Sequence, residues 1–318
     1  MPPICITGCA GFIGSQLSER LLGEGKAVLG VDSFDDYYAP EIKRNNLRDC
    51  LAAKQFHLAE GDIRDGRFLE AIFRKHRPRI VVHLAARAGV RPSMEKPLLY
   101  EQVNVGGTVQ ILEVSRQTGV EKFIFGSSSS VYGSSPDVPF SEERTRPEPI
   151  SPYGATKLAG EAMCDTYHRL YGLSVTNLRF FTVYGPRQRP EMAIHKFARL
   201  LTEGKAIPRF GDGTTARDYT FIDDIVDGIV ASLALPAGCE TFNLGNSQPI
   251  SLTGLIDLVG VQLGLPVKTE SHPEQPGDAR KTHADISKSQ KMLGYIPKVK
   301  LEDGIGRFVD WFRQQPGT

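Results

Sequence analysis

The first half of the chain alternates short apolar runs with longer amphipathic stretches. The apolar runs, which are typical of buried strands, fall at 3–7, 27–31, 56–58, 80–84, 122–125 and 174–178. Between them, the apolar spacing predicts helices over 13–23, 66–76, 98–118 and 153–171. Strands that are almost wholly apolar and alternate with helices indicate a parallel sheet covered on both faces. The pattern therefore predicts an α/β fold.

The pattern changes after about residue 180. Proline and glycine become denser, and the predicted helices over 192–203 and 252–263 are less regularly separated by strands. We therefore expect a first domain over 1–178 and a smaller α/β substrate domain over 179–318. The segment 220–245 is expected to return to the first domain.

A glycine-rich segment joins the first predicted strand to the first predicted helix. Gly8, Gly11 and Gly14 stand where a tight turn, close approach to a pyrophosphate and close helix packing each require glycine. The N–H groups of the helix start would face the anion. Because the flanking strand and helix are those that the motif needs, it predicts a Rossmann-type dinucleotide-binding domain, with Phe12 and Ile13 beside the cofactor.

A carboxylate ends the second predicted strand. Asp32 lies 18 positions after Gly14, where it can accept hydrogen bonds from both hydroxyls of the adenosine ribose. It would repel a 2′-phosphate, so NAD is favoured over NADP; the alternative is a residue that only caps a turn. Asp62 and Ile63 follow the third strand. Asp62 can bond the adenine edge or cap the helix that starts near Asp65.

Tyr153 and Lys157 are four residues apart and share one face of a predicted helix. A free phenol has a pKa near ~10, and a nearby ammonium with the positive nicotinamide ring favours the phenolate. Tyr153 then becomes a usable proton acceptor. Such a pair alone is more often structural. The serine run over 127–130 favours catalysis, because it follows the fifth strand, at the strand end where ligands bind in open α/β sheets.

Four motifs together resemble the extended short-chain dehydrogenase/reductase family, specifically its nucleotide-sugar 4-epimerases. They are T-G-x-x-G-x-x-G, S-S-V-Y-G, S-P-Y-G-x-T-K and R-D-Y-x-x-x-D-D, and the resemblance covers essentially the whole chain. It implies that Tyr153 takes the proton from the sugar 4-hydroxyl, Ser128 shares or relays it, and Lys157 binds the nicotinamide ribose. The C4 hydride would pass to a NAD that stays bound, and return to the other face of the rotated keto sugar. The resemblance implies further cofactor contacts at Leu84, Ala85, Ala86, Asn104 and Phe180.

The resemblance also bears on the reaction. Related enzymes that dehydrate or decarboxylate their keto intermediate carry Glu just before the V-Y-G motif, where this chain has Ser130 preceded by Ser129. Elimination then lacks its acid–base catalyst, so a simple epimerase is expected. The motif F-F-T-V-Y-G-P and the following R-P-E-M-A resemble UDP-glucuronate 4-epimerases. UDP-glucose epimerases usually carry Asn at Thr182 and Arg at Gln275.

We therefore expect interconversion of UDP-glucuronate and UDP-galacturonate, with Arg189 as the partner of the sugar carboxylate. The alternative for Arg187 and Arg189 is that they clamp only the diphosphate. The resemblance implies substrate contacts at Arg91, Ser129, Ser130, Thr182, Arg187, Arg189, Phe210 (uracil), Arg217 (diphosphate) and Asp278 (ribose). Phe210 as a core residue and Asp278 as a turn residue are the structural alternatives. Three other functions stay open: a UDP-glucose or N-acetylhexosamine 4-epimerase, a net NAD-dependent dehydrogenase, and a non-catalytic NAD-binding protein.

Composition changes this picture little. The 318 residues include 38 basic and 37 acidic ones, and the net charge of +1 gives no general attraction to nucleic acid or to an anionic membrane. No apolar run approaches ~18 residues, so no membrane span is expected. The five cysteines include no C-x-x-C pair, so neither a zinc site nor another metal is expected, and reduced thiols fit a cytoplasmic enzyme. The resemblance implies a homodimer, formed through the helices over 98–118 and 153–171.

Overall fold

The computed structural model describes residues 2–274 and 279–315. The strands in this part of the chain are β1 (Ile4–Thr7), β2 (Val28–Asp32), β3 (Phe56–Glu60), β4 (Ile80–His83), β5 (Lys122–Ser128), β6 (Ser174–Phe180), β7 (Thr182–Tyr184), β8 (Ile207–Phe210), β9 (Ala216–Phe221), β10 (Cys239–Leu244), β11 (Pro249–Ser251) and β12 (Thr269–His272). The helices are α1 (Phe12–Gly23), α2 (Pro40–Asn46), α3 (Arg48–Leu51), α4 (Gly66–His76), α5 (Val90–Glu95), α6 (Pro97–Glu101), α7 (Gly107–Thr118), α8 (Pro152–Tyr171), α9 (Ala193–Thr202), α10 (Ile222–Leu233), α11 (Leu252–Leu263), α12 (Ser287–Leu293) and α13 (Leu301–Phe312). None of the helices in this part of the chain combines the length and apolar character that crossing a membrane needs.

Seven strands form the main sheet, in the order β10-β6-β5-β4-β1-β2-β3. The pairings from β3 through β2, β1 and β4 to β5 are parallel, and Ile4 of β1 lies opposite Val28 on one side and Ile80 on the other. The order 3-2-1-4-5-6 is that of the Rossmann fold, which confirms the predicted fold class. The glycine-rich segment follows β1 in the middle of this sheet.

The predicted helix over 98–118 is interrupted. The structure has α6, then a π-helical turn over Gln102–Gly106, then α7. One extra residue in that turn rotates the helix locally, and Asn104 within it is buried. Apolar periodicity does not reveal the turn, because Tyr100 before it and Ile111 after it are both buried.

The chain divides into two compact units. The first comprises residues 1–133, 147–179 and 229–242, and the second comprises 134–146, 180–228 and 243–318. In the first unit, a buried apolar cluster joins the sheet to its helices and includes Leu29, Phe73, Val81, Leu112 and Phe123.

The second unit contains a three-stranded sheet in the order β11-β9-β7 and a separate pair, β12 and β8. Asp218 in β9 is fully buried, and its carboxylate accepts three backbone hydrogen bonds, from Asn246 (2.8 Å), Ser247 (2.9 Å) and Ala284 (3.0 Å). Three segments that are distant in sequence therefore meet at one carboxylate. This holds β9, and Arg217 within it, in a fixed place.

Candidate active site

The turn between β1 and α1 is so close that only glycine fits. Gly8 has a φ of +71°, and a Cβ there would lie 2.8 Å from the backbone nitrogen of Ala85. A Cβ would lie 2.1 Å from the Gly8 carbonyl oxygen if placed on Gly14, and 3.2 Å from it if placed on Gly11. Gly11 precedes α1 and offers no capping side chain. The N–H groups of the first turn of α1, which begins at Phe12, could therefore donate to a pyrophosphate, and that contact stays a prediction.

Asp32 stands at the end of β2 with both carboxylate oxygens anchored. One accepts a hydrogen bond from Ala10 N (3.0 Å) and the other from Phe34 N (2.9 Å). Burial raises the pKa of this carboxyl, whereas these two hydrogen bonds and the Lys43 charge oppose the rise. Each carboxylate oxygen can accept a second hydrogen bond, so the group fits the paired hydroxyls of a ribose.

Asp62 does not cap the following helix. Asp65 does so, by accepting a hydrogen bond from Phe68 N (3.0 Å), so the capping alternative for Asp62 is wrong. The Asp62 carboxylate instead pairs with Arg64 at 2.6 Å, and this contact lowers its pKa. Ile63 is buried. The bond between Asp62 and the adenine edge stays a prediction.

A buried histidine joins the ends of β1 and β4. The Thr108 hydroxyl donates to the Asn104 carbonyl oxygen (2.6 Å), so its oxygen must accept from His83 Nε2 (3.0 Å). His83 Nδ1 then accepts from the Thr7 hydroxyl (2.7 Å), whose oxygen receives the backbone N–H groups of Leu84 (3.2 Å) and of the next residue (3.1 Å). Burial lowers the pKa of His83 to about 3, so the ring is neutral. The network fixes the loop after β4.

Asn104 holds the same loop from the π-helical turn. Its amide oxygen accepts from Arg87 N (2.8 Å), and its amide nitrogen donates to Arg87 O (2.9 Å) and to the Thr156 hydroxyl (3.0 Å). The loop that contains Ala86 and the helix α8 are therefore joined by one side chain. Arg91 follows in α5 and is exposed. The contact of Asn104 with the cofactor stays a prediction.

The helix α8 starts where its sequence places a cap. Ser151 precedes it and accepts a hydrogen bond from Gly154 N (3.1 Å), while Pro152 occupies its first position. Tyr153 therefore lies in the first turn, half-buried. A Cβ on Gly154 would lie 2.5 Å from the Ser130 carbonyl oxygen, so this first turn packs directly against the serine-rich turn.

Lys157 is buried one turn further along α8. Its ammonium donates to the Gly126 carbonyl oxygen (2.6 Å) and lies 5.0 Å from the centre of the Phe125 ring. Burial lowers the pKa of Lys157 to about 8. A Cβ on Gly160 would lie 2.4 Å from Phe125, so the absence of a side chain there lets α8 approach β5 closely enough for the Lys157 contact.

The serine run begins inside β5, which ends three residues beyond the predicted strand end at 125. β5 continues to Ser128, and a 3-10 turn over Ser129–Tyr132 follows it. Ser128 is buried; its hydroxyl donates to the Ser130 hydroxyl (3.1 Å) and accepts from Ser130 N (3.2 Å). Ser129 and Ser130 are half-buried. The hydroxyls of Ser128 and Ser130 are thus joined directly.

Sequence reasoning missed a buried ion pair beneath this turn. Arg179 in β6 pairs with Glu161 through its Nε (2.9 Å) and Nη2 (2.7 Å), and also donates to the Tyr132 hydroxyl (2.8 Å). The Ser127 hydroxyl donates to Glu161 at 2.5 Å. The only sequence signal was that Glu161 lies four residues after Lys157 and shares its helical face.

The second unit carries the predicted substrate arginines. β6 ends at Phe180, which is half-buried. One residue separates it from Thr182, the first residue of β7. Arg187 has a φ of +67°. Arg189 pairs with Glu191 through its Nε at 2.6 Å and keeps 21% of its side chain exposed. A positively charged segment therefore follows β7.

The predicted uridine residues lie in the same unit. Phe210 ends β8 and is half-buried, and its ring lies 5.4 Å from that of His272 in the neighbouring strand. Arg217 donates to the carbonyl oxygen of the preceding residue at 3.0 Å. Asp278 and Gln275 lie outside the described residues.

A family model described as GDP-mannose 4,6 dehydratase matches residues 5–308. The chain belongs to this family. A UDP-glucuronate 4-epimerase of Thermodesulfobacterium geofontis is 44% identical over 311 residues, which cover 97% of this chain and 95% of that protein. UDP-glucuronate 4-epimerase 4 of Arabidopsis thaliana is 41% identical over 97% of this chain and 75% of its own length.

Solved structures show that this chain also shares its fold with nucleotide-sugar epimerases. The UDP-glucuronic acid 4-epimerase of Bacillus cereus, in complex with UDP-glucuronic acid and NAD, has a TM-score of 0.93 at 37% identity over 98% of this chain and 99% of that one. A Thermotoga maritima UDP-glucose 4-epimerase with UDP-glucose has a TM-score of 0.91 at 35% identity, with the same coverage. The resemblance to nucleotide-sugar 4-epimerases is thereby confirmed.

Proposed function

We propose that this protein is an NAD-dependent 4-epimerase that interconverts UDP-glucuronate and UDP-galacturonate. The observation that carries the proposal is the buried Lys157, held at 2.6 Å from the Gly126 carbonyl oxygen on the helical face that it shares with Tyr153. A buried ammonium beside a tyrosine serves proton transfer, and the glycine turn with the anchored Asp32 fits NAD.

The protein's own groups manage the proton. Tyr153 takes the proton of the sugar 4-hydroxyl, and Ser128 shares it through a second hydrogen bond. The pKa of Lys157, about 8, keeps much of this side chain charged at neutral pH, and its charge stabilises the Tyr153 phenolate. When bound at the glycine turn, NAD supplies the oxidation of C4 and, once the keto sugar has turned, its reduction on the other face.

The serine turn favours epimerisation over elimination. The family takes its description from a dehydratase, a reaction that needs an acid–base group beside the keto sugar. Ser129 and Ser130 stand at that place, and neither is an acid or base at neutral pH. Their half-buried hydroxyls can bind the sugar without promoting loss of water.

The substrate assignment rests on the charge after β7 and on the relatives. Arg189 offers a guanidinium to a sugar carboxylate, with Arg91, Thr182, Ser129 and Ser130 as further donors. A uronate oxidised at C4 is a β-keto acid, which can lose CO₂. The site must therefore hold the carboxylate so that the C–C bond that would break is not aligned with the C4 ketone. Two of the relatives named above, and one of the solved structures, are UDP-glucuronate epimerases.

The nucleotide half of the substrate is assigned to the second unit. Arg217 is proposed to bind the diphosphate, Phe210 to lie against the uracil and Asp278 to accept from the ribose; Arg187 is proposed to add a diphosphate contact. The anchoring of β9 by Asp218 keeps Arg217 in register for that contact.

Product analysis tests the function. The purified protein, incubated separately with UDP-glucuronate and UDP-glucose, should convert the former to its C4 epimer, as seen by NMR, without net NADH release. Epimerisation of UDP-glucose alone would favour the hexose alternative, and stoichiometric NADH would favour a dehydrogenase. Tyr153→Phe should abolish turnover while NAD still binds; retained turnover would contradict the assigned base.

We also propose a cytoplasmic homodimer. Leu98 (76% exposed), Leu170 (66%) and Tyr171 (52%) are large apolar side chains on α6 and α8 that a partner would cover. Four of the five free cysteines are buried thiols, which suit a reducing compartment. Light scattering after size-exclusion chromatography tests the dimer: a mass near 35.0 kDa would contradict it, and about twice that value would support it.

A further inference from the structure

We propose that Glu161, held by Arg179, is a positioning residue that keeps Ser128 in place and Lys157 charged for catalysis. The inference rests on the proposed function, because it assigns these two residues to proton transfer. Glu161 acts on Ser128 through the Ser127 hydroxyl, and on Lys157 through its negative charge one helical turn away.

Two consecutive residues near the end of β5 are held by side chains of α8. The Gly126 carbonyl oxygen accepts from the Lys157 ammonium at 2.6 Å, and the Ser127 hydroxyl donates to Glu161 at 2.5 Å. Ser128 follows. Because side chains alternate along a strand, fixing Ser127 on one side fixes the direction in which the next side chain leaves the backbone.

The ion pair also holds the far end of the serine turn. Arg179 grips Glu161 with two N–H groups and donates a third to the Tyr132 hydroxyl at 2.8 Å. Its guanidinium carbon lies 4.8 Å from the centre of the Tyr132 ring. Ser127 and Tyr132 bracket the segment 128–131, so one buried pair anchors both ends of the turn.

Burial makes this arrangement rigid. The Arg179 and Glu161 side chains are only 7% and 6% exposed, and two-point contact between guanidinium and carboxylate fixes their mutual orientation. A buried ion pair is weak evidence for stability, since apolar residues of similar volume often stabilise as well. Apolar residues in place of Arg179 and Glu161 could not form the directional hydrogen bonds to Ser127 and Tyr132.

Glu161 also sets the charge around the lysine. On α8, the Glu161 carboxylate raises the pKa of Lys157 against the larger effect of burial; the buried Cys164 thiol, whose own pKa burial raises, and Tyr153 share that helix. From β4, the neutral His83 faces the lysine, and from β6, Arg179 neutralises part of the Glu161 charge. Loss of the Glu161 charge should therefore lower the pKa of Lys157 further.

The first experiment compares two buried serines. Ser127→Ala removes the hydrogen bond to Glu161 and leaves the ion pair intact. Ser232→Ala is the matched control, because that hydroxyl is equally buried and donates only to the nearby Ile229 carbonyl oxygen (2.6 Å). We expect kcat for UDP-glucuronate to fall about ten-fold or more in Ser127→Ala, with KM little changed and with normal kinetics in the control.

The second experiment measures the pH profile of kcat. Glu161→Gln keeps the shape and the acceptor oxygen but removes the charge, so the alkaline limb should move down by about half a pH unit or more. Ser127→Ala should lower kcat without moving that limb. A merely structural role would lower the unfolding temperature and leave the limb in place.

The outcomes separate the two claims. Absence of turnover in the unsubstituted protein would overturn the proposed function and this inference with it. If the unsubstituted protein epimerises and Ser127→Ala matches the Ser232→Ala control in kcat, the positioning role alone is overturned. If Glu161→Gln does not fold, the comparison of the serine variants decides.

Discussion

Gly160→Ala should separate stability from activity in α8. The added methyl group would lie 2.4 Å from the Phe125 ring, whereas ordinary contact begins near 3.4 Å, so helix and strand must separate by up to 1.0 Å. The buried Phe125 has no room to turn away. The Lys157–Gly126 distance, now 2.6 Å, would then reach up to 3.6 Å, beyond hydrogen-bonding range.

The two effects on stability nearly cancel. Alanine gains about 1 kcal/mol over glycine within a helix, and overpacking costs about 1–3 kcal/mol. The free energy of unfolding should therefore fall by only about 0–2 kcal/mol. A misplacement near 1 Å costs about 100-fold in rate, so kcat should fall by about that factor.

Urea unfolding and steady-state turnover of UDP-glucuronate measure the two quantities. Gly23→Ala, at the end of α1, is the control, because nothing lies within 4 Å of a Cβ there; its kcat should stay near the unsubstituted value, and its stability should be unchanged or higher by up to about 1 kcal/mol. If Gly160→Ala kept full kcat, the close approach of α8 to β5 would not be what places Lys157.

Three further predictions follow from other sites. Gly14→Ala should abolish NAD binding, measured by cofactor content after purification, because the Cβ would lie 2.1 Å from the Gly8 carbonyl oxygen; a full NAD content would refute the tight-turn argument. Arg189→Ala should raise KM for UDP-glucuronate about ten-fold or release UDP-pentose, as NMR would show, and unchanged kinetics and product would exclude Arg189 as the carboxylate partner. The folded-state pKa of His83, about 3, lies below its unfolded value near 6.5, so its stabilising effect is complete above pH 6.5 and is lost as the pH falls toward 3. The loss should be about 2 kcal/mol at pH 5, and His83→Asn, which takes up no proton there, should flatten the pH dependence of unfolding; an unchanged slope would contradict a buried neutral histidine.

Features encoded in neighbouring residues were predictable from the sequence. The glycine turn, the strand that precedes it and the cap of α8 by Ser151 each depend on residues a few positions apart. The helix over Gly66–His76 begins and ends where its periodicity predicts. In these segments the local pattern and the tertiary packing favour the same structure.

Features that depend on distant partners were not predictable. In the π-helical turn, Asn104 bonds Arg87 and Thr156, which are 17 and 52 positions away. Ser127 belongs to β5, and Glu161 meets it across 34 positions. Polar side chains of this kind look like surface residues in the sequence, since nothing nearby shows the partner that compensates their burial.

The order in which the chain is synthesised differs from the order in which its parts assemble. β6 ends at residue 180, but β10 (Cys239–Leu244), which completes the seven-stranded sheet beside it, lies mainly in the segment 229–242 of the first unit. At ~5–20 residues per second, the 62 residues from 180 to 242 take roughly 3–12 s to emerge from a ribosome. Phe140 stays without its partner for longer, because its N–H donates to the carbonyl oxygen of His283, which is synthesised 143 residues later. An uncovered strand edge and an uncovered aromatic ring are binding determinants for chaperones, so the nascent chain should need protection during this interval that the finished fold does not.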